Sequence, residues 1–170
     1  KMNAIDFSNA ASDSTKNFRL EAFSFTYDFG LNIFFDDMED LRDIIGDTEI
    51  EVWQVEGLRE DTYMDVDNFK DLETAIELIM EGHFQEDLDL FKKLKEEGYV
   101  SDLANAQEWH DENQFCEDMS DYDFGHYLMH DVSCIDIPEA LQGYISYEAY
   151  GRDALINDFV RVGNFIYSNH

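Results

Sequence analysis

The chain has 170 residues, with 40 Asp and Glu against 11 Lys and Arg, a formal net charge of -29, one Pro and two Cys. Its 44% hydrophobic and 15% aromatic content is enough to build a core, which excludes a chain disordered throughout. The charge repels nucleic acid and anionic lipid, no apolar run reaches the ~18 residues of a membrane span, and Cys116 and Cys134 form no CxxC pair and no disulfide framework.

Residues 1–17 are small and polar and read as a flexible N-terminal arm, in which Met2 is taken as the natural start and Lys1 is left out of the functional argument. No charged segment leads into an apolar one there, so the expected location is the cytoplasm. From Arg19, alternation predicts a strand with Phe23, Phe25 and Tyr27 on one face. Asp28-Phe29-Gly30 reads as a turn into a second strand, LNIFF. Asp36 or Asp37 can cap a helix carrying Met38, Leu41, Ile44 and Ile45 at helical spacing up to Gly46. A third strand, EIEVWQV, alternates Ile50, Val52 and Gln54 against Glu51, Trp53 and Val55.

The middle of the chain is helical. Leu72, Ala75, Ile76 and Ile79 form one apolar face, Phe84, Leu88, Phe91 and Leu94 a second, and Ser101 can cap a third helix through Leu103, Ala104 and Trp109. Gly82 and Gly98 mark the short connections. In the last third, Ser120 and Asp123 imitate a capping box, Pro138 suits the first turn of another helix, Tyr147 to Leu155 reads as helix, and FVRV and NFIYS flank Gly163 as a closing hairpin. The expected fold is α+β: an elongated chain of three small modules, a mixed β-β-α-β module at 18–62, a helical module at 63–113 and a mixed α/β end at 114–170.

Charge is distributed unevenly along this plan. From Glu96 to Gly151 there are 14 acidic residues and no Lys or Arg, and from Asp28 to Phe91 there are 21 acidic residues against Arg42, Arg59 and Lys70. Internal pairing cannot neutralise such an excess, and an unpaired buried carboxylate costs several kcal/mol, so most of these groups must face solvent or a basic partner. Duplex DNA carries about one charge per ~1.7 Å of axis, so the net charge matches roughly 49 Å of duplex, whereas a compact body of this length is about 40 Å across. A high-salt adaptation fits less well, because Lys is used six times and large apolar side chains are plentiful.

Motifs for catalysis are missing: there is no GxGxxG, Walker loop, GxSxG or HExxH, so no catalytic, cofactor-binding or metal residues are assigned and the chain is read as a non-enzyme without cofactor. The segment Asp65 to Asp71 imitates a calcium loop but has Phe69 at a ligand position, Lys70 at the glycine position and Ile76 where the bidentate Glu belongs. His126 and His130 are one helical turn apart, and Cys116 or His110 could complete a zinc set, yet HYLMH lacks the adjacent Glu of a catalytic pair. Two carboxylate arrays stand out instead. One is the polar side of the first helix: Asp36, Asp37, Glu39, Asp40 and Asp43. The other is Asp111, Glu112, Glu117, Asp118, Asp121 and Asp123, interleaved with Phe115, Met119 and Tyr122. Held where a DNA-binding protein expects phosphates, each could accept a charge-assisted hydrogen bond from Arg or Lys.

The run from Ile137 to Asp153, IPEALQGYISYEAYGRD, resembles the C-terminal signature of the ArdA antirestriction family, approximately P-x-x-L-x-x-Y-I-D-Y-x-A-Y-G/A-R-D. Pro138, Leu141, Tyr144, Tyr147, Tyr150, Gly151, Arg152 and Asp153 carry the match and are read as structural. The tyrosines are read as packing groups and Arg152 as a partner of Asp153 or a nearby carboxylate. Glu117 to Asp131 is similar to the region of the family's antirestriction motif. Upstream, Tyr27 and Gly30 keep part of a Y-N-x-G-x-L-x-G-x-W hairpin, and Glu51 to Glu56 lies where the family has a strand ending in D-Y-E. The resemblance implies a DNA mimic, an elongated homodimer that works in the cytoplasm of a bacterial host, occupies the DNA groove of type I restriction-modification enzymes and binds neither nucleic acid nor membrane. The residues themselves leave open a mimic aimed at another nucleic-acid-binding defence protein such as a CRISPR effector, an acidic cation-binding protein, or an acidic interaction module without mimicry.

Overall fold

A computed structural model describes residues 15–169. The first fourteen residues of the expected arm lie outside the described part. The fold is α+β, with antiparallel strands in two small sheets and helices around them. The chain divides into two compact units, one ending at Gln107 and one beginning at Glu108.

In the first unit a four-stranded antiparallel sheet has the order β2-β1-β3-β4, from β1 (Phe18–Ser24), β2 (Phe29–Phe35), β3 (Ile50–Gly57) and β4 (Thr62–Asp65). Alternation decides what is inside: Leu20, Ala22 and Ser24 of β1 and Leu31, Ile33 and Phe35 of β2 are buried. Helix α1 (Met38–Ile45) packs on β2, α2 (Phe69–Met80) on β3 and α3 (Gln85–Glu96) on β4. Leu72, Ala75, Ile76 and Ile79 are all buried, as their spacing requires. Leu88, Phe91 and Leu94 are buried too, but Phe84 sits at the N-cap of α3 and is 78% exposed, because the helix begins one residue after it.

The strand β3 departs from simple alternation. Pairing with β1 slips at Glu21/Ala22, leaving Trp53 without a partner between Val52 and Gln54. Val52 and Val55 are therefore both buried although three residues apart, and Trp53 turns outward. The aromatic face expected over 23–27 is cut short as well, since β1 ends at Ser24 and Asp28 turns the chain with φ 57.

Beyond α3, a 3-10 turn (Leu103–Asn105) leads into α4 (Ala106–Asn113), so the third helix of the middle region starts later than its proposed Ser101 cap. The second unit holds the sheet β5-β7-β6, from β5 (Gln114–Glu117), β6 (Phe159–Val162) and β7 (Phe165–Ser168), with Gly163 turning the hairpin at φ 58. Helices α5 (Asp121–Tyr127), α6 (Glu139–Gln142) and α7 (Tyr147–Asn157) complete it, and α5 runs on into a π turn over Leu128–Val132. Its core is Phe124, Leu128 and Ile166, with Phe115, Met119, Tyr127, Leu155 and Phe159 packed around them. No helix among the described residues is long and apolar enough to cross a membrane.

Candidate functional site

With so few cations, the fold uses several of them twice. Lys16 bridges Asp36 and Asp40, Arg19 bridges Glu21 and Glu56, Lys92 bridges Asp65 and Glu96, Lys95 bridges Asp67 and Asp71, and Arg161 bridges Asp118 and Asp121. Which carboxylates remain available follows from which of them these five side chains take. The calcium-like segment is a clear instance: Asp65, Asp67 and Asp71 hold lysines of α3, and Asn68 caps α2.

At α1, Asp37 is the N-cap, its carboxylate accepting from the Asp40 backbone N–H at 2.9 Å. Lys16 Nζ donates to Asp36 Oδ2 at 2.8 Å and to Asp40 Oδ2 at 3.0 Å, and the Asp36 backbone N–H also donates to Asp40, at 2.9 Å. Partial burial pushes the Asp40 carboxyl upward, but the Lys16 and Asp36 hydrogen bonds together outweigh it and hold the group below its ordinary value. Hydrogen bonds to Asp36 and then Asp40 push the Lys16 ammonium up from its ordinary 10.5. Glu39 and Asp43, one turn apart, are exposed and belong to no ion pair among the described residues.

The second array is split between three elements: Asp111 and Glu112 on α4, Glu117 at the end of β5 with Asp118 after it, and Asp121 and Asp123 in the first turn of α5. Carboxylates suit that position because they oppose the positive end of the helix dipole. Ser120 caps α5, accepting from the Asp123 backbone N–H at 3.1 Å and donating through its hydroxyl to the Asp123 carboxylate at 2.5 Å. Arg161 of β6 reaches across, donating from Nε to Asp118 and from Nη2 to Asp121 at 3.2 Å and to the Met119 carbonyl at 2.8 Å. Asp111, Glu112 and Glu117 are exposed and outside any ion pair among the described residues.

Arg161 and Lys16 are the two residues that sequence reasoning missed. Alternation in FVRV already sets Arg161 opposite the core residue Val162, but its acidic partners lie 40 and more residues earlier. Lys16 carries no local signal at all.

A family model described as antirestriction protein (ArdA) matches residues 5–167. This chain belongs to the ArdA family. A comparison with curated proteins finds no match. Membership in an antirestriction family implies interaction with restriction-modification enzymes.

The ArdA-like signature is spread over a loop, α6 and α7, and only part of it is buried. Tyr147 is 6% exposed and its hydroxyl hydrogen-bonds His130 Nε2 at 2.8 Å. The His126 and His130 rings lie 4.4 Å apart and both face Tyr147, while His110 pairs through Nδ1 with the Tyr167 hydroxyl at 2.8 Å. No group of three metal-ligating side chains forms among the described residues. Gly151 of α7 lies on α5: a Cβ there would stand 2.0 Å from the Asp121 carbonyl oxygen, and one on Gly125 would stand 2.0 Å from that of Tyr147. This glycine pair lets the two helices cross at backbone contact. Pro138 occupies the N-cap of α6, Leu141 is 53% and Tyr144 87% exposed, and Tyr150 is exposed. Arg152 and Asp153 are exposed, and Arg152 forms no salt bridge among the described residues.

Proposed function

We propose that this ArdA-family protein is an inhibitor that mimics DNA, occupying the DNA-binding groove of a type I restriction-modification enzyme. The observation that carries the reading is the division of the carboxylates. After the doubly bridging cations have taken their partners, Glu39 and Asp43 in one unit and Asp111, Glu112 and Glu117 in the other stay exposed on regular elements without internal cations among the described residues. A fixed carboxylate accepts from an Arg or Lys of a basic groove as a phosphate oxygen would, and charge-assisted bonds are the stronger kind. Asp118, Asp121, Asp36 and Asp40 have part of their valence spent on Arg161 and Lys16, so they contribute their field more than new contacts. Asp37 serves as the cap of α1 and Asp123 accepts from the Ser120 hydroxyl, and both residues are exposed. The inhibitor acts as a homodimer in the cytoplasm of a bacterial host, needs no cofactor, and catalyses nothing; it competes by mass action.

The test is competition between this protein and duplex DNA for a type I methyltransferase core. Displacement of DNA in proportion to inhibitor, weakening steeply with salt, supports the reading. Binding to the core that leaves DNA in place overturns it.

A further inference from the structure

The sheet of the first unit has a second face that no element of the described chain covers at its centre. Its middle is aromatic: Phe23 of β1 stacks on Trp53 with ring centroids 6.0 Å apart and planes 23° apart, and Phe25 meets Phe23 edge-on at 5.5 Å. Trp53 is 46% and Phe25 57% exposed. The bulge in β3 produces this arrangement, because the extra residue turns the indole out beside Phe23 instead of into the core. On one flank Phe23 is paired with Gly30, which has no side chain to cover the ring; on the other it is paired with Glu51. One step along, the Phe25 backbone N–H donates to the Glu49 carbonyl, so Glu49 extends the same edge. Both glutamates are exposed and outside any ion pair among the described residues.

We infer that this aromatic face with its Glu49 and Glu51 edge is a docking platform for arginine side chains of the basic partner, in addition to the carboxylate arrays. The chemistry is specific. A guanidinium is flat and weakly hydrated, stacks on indole and phenyl faces, and at the same time donates in its own plane to a carboxylate beside the ring. Bare phosphate mimicry needs no aromatic groups, and a large exposed aromatic patch in so acidic a chain must otherwise be tolerated against its solvation cost. Charge complementarity selects the occupant: a nucleic acid or an anionic lipid would stack or insert only against the field of the two glutamates, whereas an arginine is drawn by both the rings and the acids. This inference rests on the inhibitor reading for the identity of the partner, and not for the chemistry of the platform.

The platform can be tested on the intact protein with Trp109→Phe, which leaves Trp53 as the remaining one of the chain's two tryptophans. Titration with a short arginine homopeptide at moderate salt is expected to change Trp53 emission saturably, and a lysine homopeptide to do so less. Phe25→Ser is expected to weaken arginine-peptide binding about fivefold with the salt dependence unchanged. Glu51→Gln is expected to weaken it and to flatten the salt dependence. Arginine-peptide binding that leaves Trp53 emission unchanged, or that neither substitution alters, overturns the proposal. A fall in molecular mass caused by Phe25→Ser overturns it too, since the face would then be covered by a second copy. The two readings fail separately: a Trp53 response without displacement of DNA from the methyltransferase core removes the proposed inhibition, and displacement without a Trp53 response removes the platform.

Discussion

Arg161 shows how one cation sets the value of several acids. It holds Asp118, Asp121 and the Met119 carbonyl together, tying β6 to the entry of α5. Partial burial disfavours its charge, but the Asp118 and Asp121 carboxylates more than offset this and raise its pKa. Arg161→Ala is expected to lower stability by about 1 kcal/mol in urea titration, as for an ion-pair network that is partly exposed. The same change frees two carboxylates, so affinity for a basic partner is expected to hold or rise; a large loss of affinity in a folded variant would mean that Arg161 itself touches the partner. Lys16 gives a pH signature. The Asp40 pKa is lowered, so the stabilisation is present above the ordinary carboxylate value of 3.8 and disappears as pH falls through the depressed folded value. The Lys16 pKa is raised, so its contribution is present below 10.5 and is lost as pH rises beyond that. Lys16→Met should therefore lower the melting temperature at neutral pH, and the difference between the two proteins should shrink as pH falls through the depressed Asp40 value.

At the scale of elements, the crossing of α5 and α7 gives the signature run its physical content. Gly151 is needed because Asp121 places its carbonyl oxygen where a Cβ would go, and Gly125 answers with the same relation to Tyr147. Gly151→Ala is expected to cost about 2–3 kcal/mol, typical of overpacking against backbone that cannot yield, and to shift the urea midpoint without changing partner chemistry. Tyr147 and Gly151 are thus positions where the signature run speaks of packing, whereas Tyr144 and Leu141 stand exposed on the surface. The carboxylate arrays are distributed over separate elements, so their effects on binding are expected to accumulate. Neutralising Glu39 and Asp43 together, or Asp111, Glu112 and Glu117 together, should weaken inhibition stepwise with near-additive free energies, and single Gln or Asn substitutions should change it little. Abolition of inhibition by one or two such changes in a folded protein would contradict distributed recognition. Helix spacing was legible in sequence for α2, because four apolar residues on one side fix its orientation. The β3 register was not, since a bulge is decided by what the neighbouring strand offers and leaves the composition of the strand itself unchanged.

For the whole molecule, a net charge of -29 on a 19.9 kDa chain would, on the proposed reading, make partner binding a problem of two polyanions competing for one basic groove. Inhibition should therefore weaken as salt rises, with a steep log–log slope measured at fixed enzyme, and the arrays neutralised above should reduce that slope. The proposed homodimer predicts a sedimentation mass of twice the chain mass at micromolar concentration; a monomer throughout the working range would remove it. The sequence by itself determined the excess of acid over base, the α+β class, the helical faces and the family, because composition is independent of the fold, apolar spacing follows from the 3.6 and 2.0 periods of the backbone, and the signature run is contiguous. Only the tertiary structure decided which carboxylates are spent and which stay available. Lys16 meets Asp36 twenty residues away and Arg161 meets Asp118 forty-three residues away, and a pairing that depends on two distant segments arriving side by side leaves no mark on either segment alone.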